Sequence, residues 1–220
     1  MSTTRWATFD CFGTLVDWRH GIRTSAELLF PGRGAELLDR YNAHEPAVEL
    51  ERPTARYRDV LAETLGRACA DLGLALGADD ADILGATIEY WPVFPDVASE
   101  LGALRAAGWR LALLTNCDRD LIAATQRRLG VVIDAVVTAE AVGSYKPAHG
   151  HFDRFAESFA PGPGGWVHVA EGYVFDMLPA HALGIPRVWI NRQGERRDES
   201  VVDVVLGDLR GLTAAVERVA

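Results

Sequence analysis

From residue 96 to its end the chain alternates between two patterns. Short apolar runs at 109–114, 131–137, 166–169, 186–190 and 204–206 read as strands, the run 131–137 as a strand with a bend. Segments 96–107, 120–129, 151–159, 177–183 and 209–219 space their apolar residues as helices do. Such alternation predicts a parallel sheet of the doubly wound α/β class. One further strand, 6–9, stands at the start and stops abruptly at Asp10. From Asp17 to about Trp91 the spacing is helical only, broken by Pro31-Gly32, Pro53 and the glycines of 73–77. The chain therefore reads as one doubly wound sheet interrupted after its first strand by a helical insert. The Trp91-Pro92-Val93-Phe94-Pro95 stretch ends the insert and reads as hinge packing.

The 220 residues suit one domain, or a core with one inserted subdomain, and can bury a sizeable core without disulfides or a structural metal. The net charge of −9 repels phosphate backbones and anionic lipid, so no nucleic-acid or membrane partner is expected. The cysteines, Cys11, Cys69 and Cys117, are odd in number and form no CxxC, which fits a reducing, cytoplasmic setting. Residues 1–5 are polar and carry no sign of a signal peptide, and no apolar run approaches a membrane span.

In a doubly wound sheet, functional groups gather beyond the carboxyl ends of the strands. Strand 6–9 ends at Asp10, with Thr14 in the turn that follows. Strand 109–114 ends at Thr115-Asn116. Lys146-Pro147 follows the third strand, and Glu171 and Asp176 follow the fourth. A carboxylate, a hydroxyl–amide pair, a lysine and two further acids from four strands make a candidate nucleophilic site. His149 and His151 near the lysine have no third ligand, so a zinc site is not expected. Arg196-Arg197 reads as solvated loop charge.

Asp10-Cys11-Phe12-Gly13-Thr14-Leu15, Thr115-Asn116, Lys146-Pro147 and the Glu171–Asp176 segment resemble, in order, the four motifs of the haloacid dehalogenase superfamily. Residues 11–18 are similar in particular to the type II L-2-haloacid dehalogenases. The resemblance implies a Rossmann-like core at residues 1–15 and 96–220 and a helical cap at 16–95. It implies that Asp10 is a nucleophile forming an aspartyl ester that water hydrolyses. Thr14 and Lys146 hold Asp10 ionised and aimed, and a nearby lysine lowers a carboxylate pKa. Thr115 and Asn116 bind an anionic substrate group. Asp176 orients Lys146 or the hydrolytic water. Cys11 and Phe12 are expected as substrate contacts, and Cys117 beside the cleft. A small anionic organic acid is the implied substrate and a homodimer the implied assembly.

The superfamily's phosphatases carry an aspartic acid two residues after the nucleophile, where it protonates a leaving alkoxide. This chain has Phe12 there, which transfers no proton. General-acid help is worth about 10²–10⁴ in rate, and a halide leaves without it. Phe12 therefore favours displacement at a saturated carbon, most simply of a 2-haloacid. The type II cap arginine has its nearest counterpart in Arg40, about one residue out of register. Phe152 and Tyr173 replace a tyrosine and an asparagine of that family, and Glu171 a small polar residue; Arg40, Glu171 and Tyr173 are the candidate substrate contacts here. Glu171 either pairs with Lys146 in a site without metal or cofactor, or joins Asp10 and Asp176 in holding Mg²⁺. The latter belongs to the alternative reading, a Mg²⁺-dependent phosphatase of a small phosphorylated metabolite. A non-catalytic binding protein on the same scaffold is the third.

Overall fold

The computed structural model describes residues 4–220, so the first three residues of the polar N-terminal segment lie outside it. Six strands form one parallel sheet: β1 (Arg5–Phe9), β2 (Trp109–Thr115), β3 (Ala135–Thr138), β4 (Trp166–Ala170), β5 (Arg187–Ile190) and β6 (Val204–Leu206), in the order β3-β2-β1-β4-β5-β6. This is the doubly wound sheet that the alternation predicts. β1 lies at its centre with Trp6 through Phe9 buried, as a strand covered on both faces must be. Phe9 pairs with Leu113 on one side and Val169 on the other. Asp10 thus leaves β1 at the height of Leu114 and Ala170, at the switch point where the winding reverses.

The insert consists of α1 (Trp18–Leu29), α2 (Gly34–Glu51), α3 (Tyr57–Asp71) and the short α4 (Ile83–Thr87). α2 runs unbroken through Pro46. Leu37, Tyr41 and Val48 form its buried stripe, and tertiary burial overrides the missing donor at Pro46. The two chain segments that join insert and sheet pair with each other. Val16 bridges Val93, Asp17 N donates to Pro92 O at 2.8 Å, and Phe94 N donates to Leu15 O at 2.9 Å. The insert also docks on the sheet's carboxyl edge. Asp118 accepts from the backbone N–H of Tyr57 (2.9 Å) and Arg58 (3.0 Å), capping α3 from across the interface.

The remaining helices are α5 (Val97–Ala106), α6 (Arg119–Gln126), α7 (Ala139–Val142), α8 (Gly150–Phe159), α9 (Leu178–Ala182) and α10 (Leu212–Val219). β3 is shorter than the apolar run 131–137 suggests. Asp134 ties its carboxylate to Leu111 N at 2.9 Å, so pairing begins only at Ala135. The predicted helix 177–183 is preceded by one wide π turn, Tyr173–Met177, which carries Asp176. Such turns are rare and concentrate at functional sites. Among the described residues no helix is long and apolar enough to cross a membrane.

Candidate active site

The loop after β1 is tight. Gly13 has φ of +102°, and a Cβ there would lie 2.9 Å from Glu171 Oε2, so only glycine fits. The turn brings the Thr14 hydroxyl back onto Asp10. Thr14 Oγ1 donates to Asp10 Oδ2 at 2.9 Å and accepts from Glu171 N–H at 2.8 Å. The hydroxyl is thus oriented by the end of β4 and aims Asp10 in turn.

Lys146 holds the other oxygen. Its Nζ donates to Asp10 Oδ1 at 3.0 Å, Asp176 Oδ1 at 2.6 Å and Leu114 O at 2.9 Å. All three ammonium protons are placed, and the side chain is wholly enclosed. Asn116 fixes its backbone, accepting from Lys146 N at 2.7 Å and donating to Lys146 O at 3.3 Å. Burial opposes the charge on Lys146, but Asp10 and Asp176 outweigh it and hold the ammonium above its ordinary value. Burial likewise raises both acids. Lys146 and His168 overcome this at Asp176 and hold it below the usual carboxylate range. At Asp10 burial prevails over Lys146, with Asp176 adding to the rise. The shorter contact agrees: Lys146 and Asp176 form the tight ion pair, and Asp10 is the more basic acid.

A buried chain supports this group from behind. Trp166 Nε1 donates to Thr8 Oγ1 at 2.9 Å, Thr8 Oγ1 lies 2.9 Å from His168 Nδ1, and His168 Nε2 lies 3.0 Å from Asp176 Oδ1. Donors and acceptors match along it when His168 carries its proton on Nε2. Sequence reasoning passed over His168, because one polar residue inside an apolar strand carries no spacing signal.

Asp10 opens onto a cavity of about 220 Å³ between insert and sheet edge. Phe12, Thr115, Asn116, Lys146, Glu171, Tyr173 and Asp176 line it as well, so most candidate residues converge there. Thr14 acts from just behind, through Asp10. Two expected substrate contacts do not belong to it. Arg40 is exposed on the outer side of α2, because its neighbour Tyr41 takes the buried face and one helical step turns the next residue away. Cys11 is buried in the hydrophobic core, on the side of the loop away from the cavity. Cys117, its expected counterpart, does line the cavity. Phe152 is core as well, with its ring packed edge-on against His168 at 5.0 Å.

Glu171 does not pair with Lys146, whose donors are all taken elsewhere. Its carboxyl lies over Gly13, where burial pushes it up to about 7 against the pull of Arg19, with Asp10 adding to the rise. Tyr173 gives its hydroxyl proton to Asp198 O at 2.8 Å. Arg197 is not free loop charge: it stands at the cavity rim, paired with Glu195 at 2.9 Å. The insert contributes Trp18, Arg19, Glu45, Glu49 and Tyr57, none of which sequence reasoning singled out. Glu45 Oε1 accepts from the hydroxyls of Tyr41 and Tyr57, each at 2.9 Å, and Glu49 Oε1 from Asn116 Nδ2 at 3.3 Å. Burial raises the pKa of both glutamates.

The proposed magnesium ligands do not fit a cation as they stand. Lys146 Nζ already lies between Asp10 and Asp176, and Thr14 takes the second Asp10 oxygen. Among the described residues no three His, Cys, Asp or Glu side chains are grouped to hold a metal ion.

A doubly wound sheet with charged groups racked at its switch point, under a helical insert, defines an enzyme of the Rossmann-like hydrolase class. The chain belongs to the haloacid dehalogenase-like hydrolases, whose family model matches residues 4–184. It is 27% identical over 199 residues to haloacetate dehalogenase H-2 of Moraxella sp. (strain B), covering 87% of each chain. It is 26% identical over 234 residues to a phosphoglycolate phosphatase of Shigella boydii, covering 96% of this chain and 92% of that one. Among solved structures, the L-2-haloacid dehalogenase RSc1362 superposes with a TM-score of 0.82 at 26% identity, covering 98% of this chain and 100% of that one.

Proposed function

We propose that the protein hydrolyses a small 2-haloacid, with Asp10 as nucleophile. Asp10 attacks the halogen-bearing carbon. A C–O bond forms, the C–X bond breaks, and the halide leaves with the electron pair. Water then adds to the carboxyl carbon of the aspartyl ester. The ester C–O bond breaks, the departing alkoxide takes one water proton to give the hydroxy acid, Asp10 is regenerated as a carboxylate, and the other proton passes to solvent. Lys146 and Thr14 keep one orientation of Asp10 through both steps, and Asp176 with His168 keeps Lys146 charged and placed. Residues 16–95 serve as the cap and 1–15 with 96–220 as the core; the cap excludes bulk water from the reacting carbon.

The observation that carries this reading is Phe12. It lines the cavity two residues beyond Asp10, with its ring edge-on to Trp91 at 5.8 Å. An apolar ring there suits a halide leaving group and offers no proton to an alkoxide. The cavity volume of about 220 Å³ fits a small acid, below the roughly 300–1,000 Å³ of drug-sized sites. The family's homodimer and a reducing compartment belong to the same reading, the latter supported by three free, buried cysteines.

The test is halide release from a panel of 2-haloacids in EDTA, with Asp10→Asn as control. Release that disappears in the variant supports carbon-centred chemistry without metal. No release from a folded enzyme across the panel refutes it and turns attention to magnesium-dependent phosphate-ester cleavage.

A further inference from the structure

The cavity wall is unusually acidic. Asp10, Glu45, Glu49, Glu171, Asp176 and Glu195 face three cations, Lys146, Arg19 and Arg197. An anionic substrate needs a positive group that is not already occupied. Lys146 has given all its protons to Asp10, Asp176 and Leu114 O. Arg197 is paired with Glu195. Among the neutral lining groups, Asn116, Tyr57 and Tyr173 already donate within the protein. Arg19 differs. Among the described residues it makes no ion pair and no side-chain hydrogen bond, and its Nε is buried without a partner. Its guanidinium carbon lies 4.8 Å from the centre of the Trp18 ring. A buried donor left unsatisfied is costly, and a ligand can supply what the protein does not.

We propose that Arg19 is the anchor for the carboxylate of the substrate, taking over from α1 the task that sequence reasoning assigned to Arg40 on α2. The planar fork of a guanidinium matches a carboxylate, and the other one in the wall, Arg197, is already paired with Glu195. Arg19 and Asp10 border one cavity of about 220 Å³, so a single small molecule spans both. The substrate class follows, resting on the proposed dehalogenation: a short acid with its carboxylate on Arg19 and its halogenated carbon toward Asp10. Arg19 is then a specificity-determining residue that the type II pattern does not mark.

The experiment titrates glycolate, a product-like carboxylate, and its neutral amide, glycolamide, into the wild type, Arg19→Gln and Arg19→Lys by calorimetry. Halide release from chloroacetate is measured on the same three proteins, and circular dichroism and thermal melting check the fold. The wild type should prefer glycolate to glycolamide. Arg19→Gln should lose that preference, binding glycolate about 10- to 100-fold more weakly and glycolamide as before. Arg19→Lys, with charge but no fork, should fall between. For chloroacetate, KM should rise by a similar factor and kcat change less. An Arg19→Gln protein that keeps the wild-type preference overturns the proposal, as does a wild type with no preference at tens of millimolar. Halide release that is independent of Arg19 leaves the dehalogenase reading intact and removes this one. A carboxylate preference that needs Arg19, with no halide released, does the reverse.

Discussion

Replacing Lys146 by methionine isolates the ion group at the centre of the site. Methionine nearly preserves the volume of the stem, so the change removes a charge and three hydrogen bonds and opens little space. Asp10 and Asp176 then share an enclosed site without a counter-charge. Removing one partner of a buried ion pair destabilises by about 3–5 kcal/mol. With a urea slope of roughly 3 kcal/mol per molar, the midpoint should fall by about 1–1.7 M. The loss should depend on pH. In the wild type Asp176 is held below the usual carboxylate range, so its contribution is present above that range and lost as pH falls. In the variant both carboxyls are buried without the lysine and their pKa values rise. Their penalty is then greatest near neutrality and is relieved as they take up protons. The urea midpoint of Lys146→Met should therefore approach that of the wild type between about pH 7.5 and 5. A midpoint shift below about 0.3 M, or one that stays constant across that pH range, would refute the account of Lys146 as the shared counter-ion.

Three further outcomes follow from the geometry. Gly13→Ala forces a side chain into a backbone with φ of +102° and against Glu171; it should destabilise by at least about 1–3 kcal/mol and abolish halide release, checked by urea unfolding and steady-state assay. Asp118→Ala leaves the Tyr57 and Arg58 amides uncapped; a loss of about 0.5–2 kcal/mol and faster proteolysis near residues 52–58 should appear together. Glu171, at about 7, is neutral below that pH and anionic above it, beside Arg19, Asp10, Asp176 and Glu195. KM for a haloacid should therefore rise as pH passes 7, and Glu171→Gln should flatten the rise. Because its folded pKa lies above the ordinary value, Glu171 also weakens folding as pH rises toward 7. Glu171→Gln should gain thermal stability relative to the wild type over about pH 5 to 8.

The sheet was legible because every strand is a short apolar run and all but β5 lead through a turn into a helix. Asp10, Thr115 and Glu171 could be placed together for the same reason: each directly follows such a run, and parallel strands end at one edge. The helical insert was legible only in outline. Its cavity-facing residues come from helices whose exposed and buried faces differ by one residue, as Arg40 and Tyr41 show. Without knowing how α2 packs, no spacing rule chooses between them. Arg19 was harder still. It lies one helical step past Trp18 at the start of α1, where an arginine ordinarily faces solvent, and only the closure of the insert over the sheet edge turns it inward.

That closure also bears on how so acidic a wall would serve the anionic substrate proposed above. Counted as formal charges, the lining groups would repel a carboxylate. Yet burial raises the pKa values of Glu45, Glu49 and Glu171, which favours their neutral forms. Asp176 remains the acid held low, and Lys146 neutralises it. Among the described residues Arg19 is then the lining cation without an internal partner, whereas Asp10 is matched by Lys146 and Thr14. Desolvation by the insert thus both encloses Asp10 and favours the neutral forms of the acids around Arg19. Loosening the insert should undo the two effects together, which makes the α3 cap at Asp118 a determinant of substrate affinity as well as of stability.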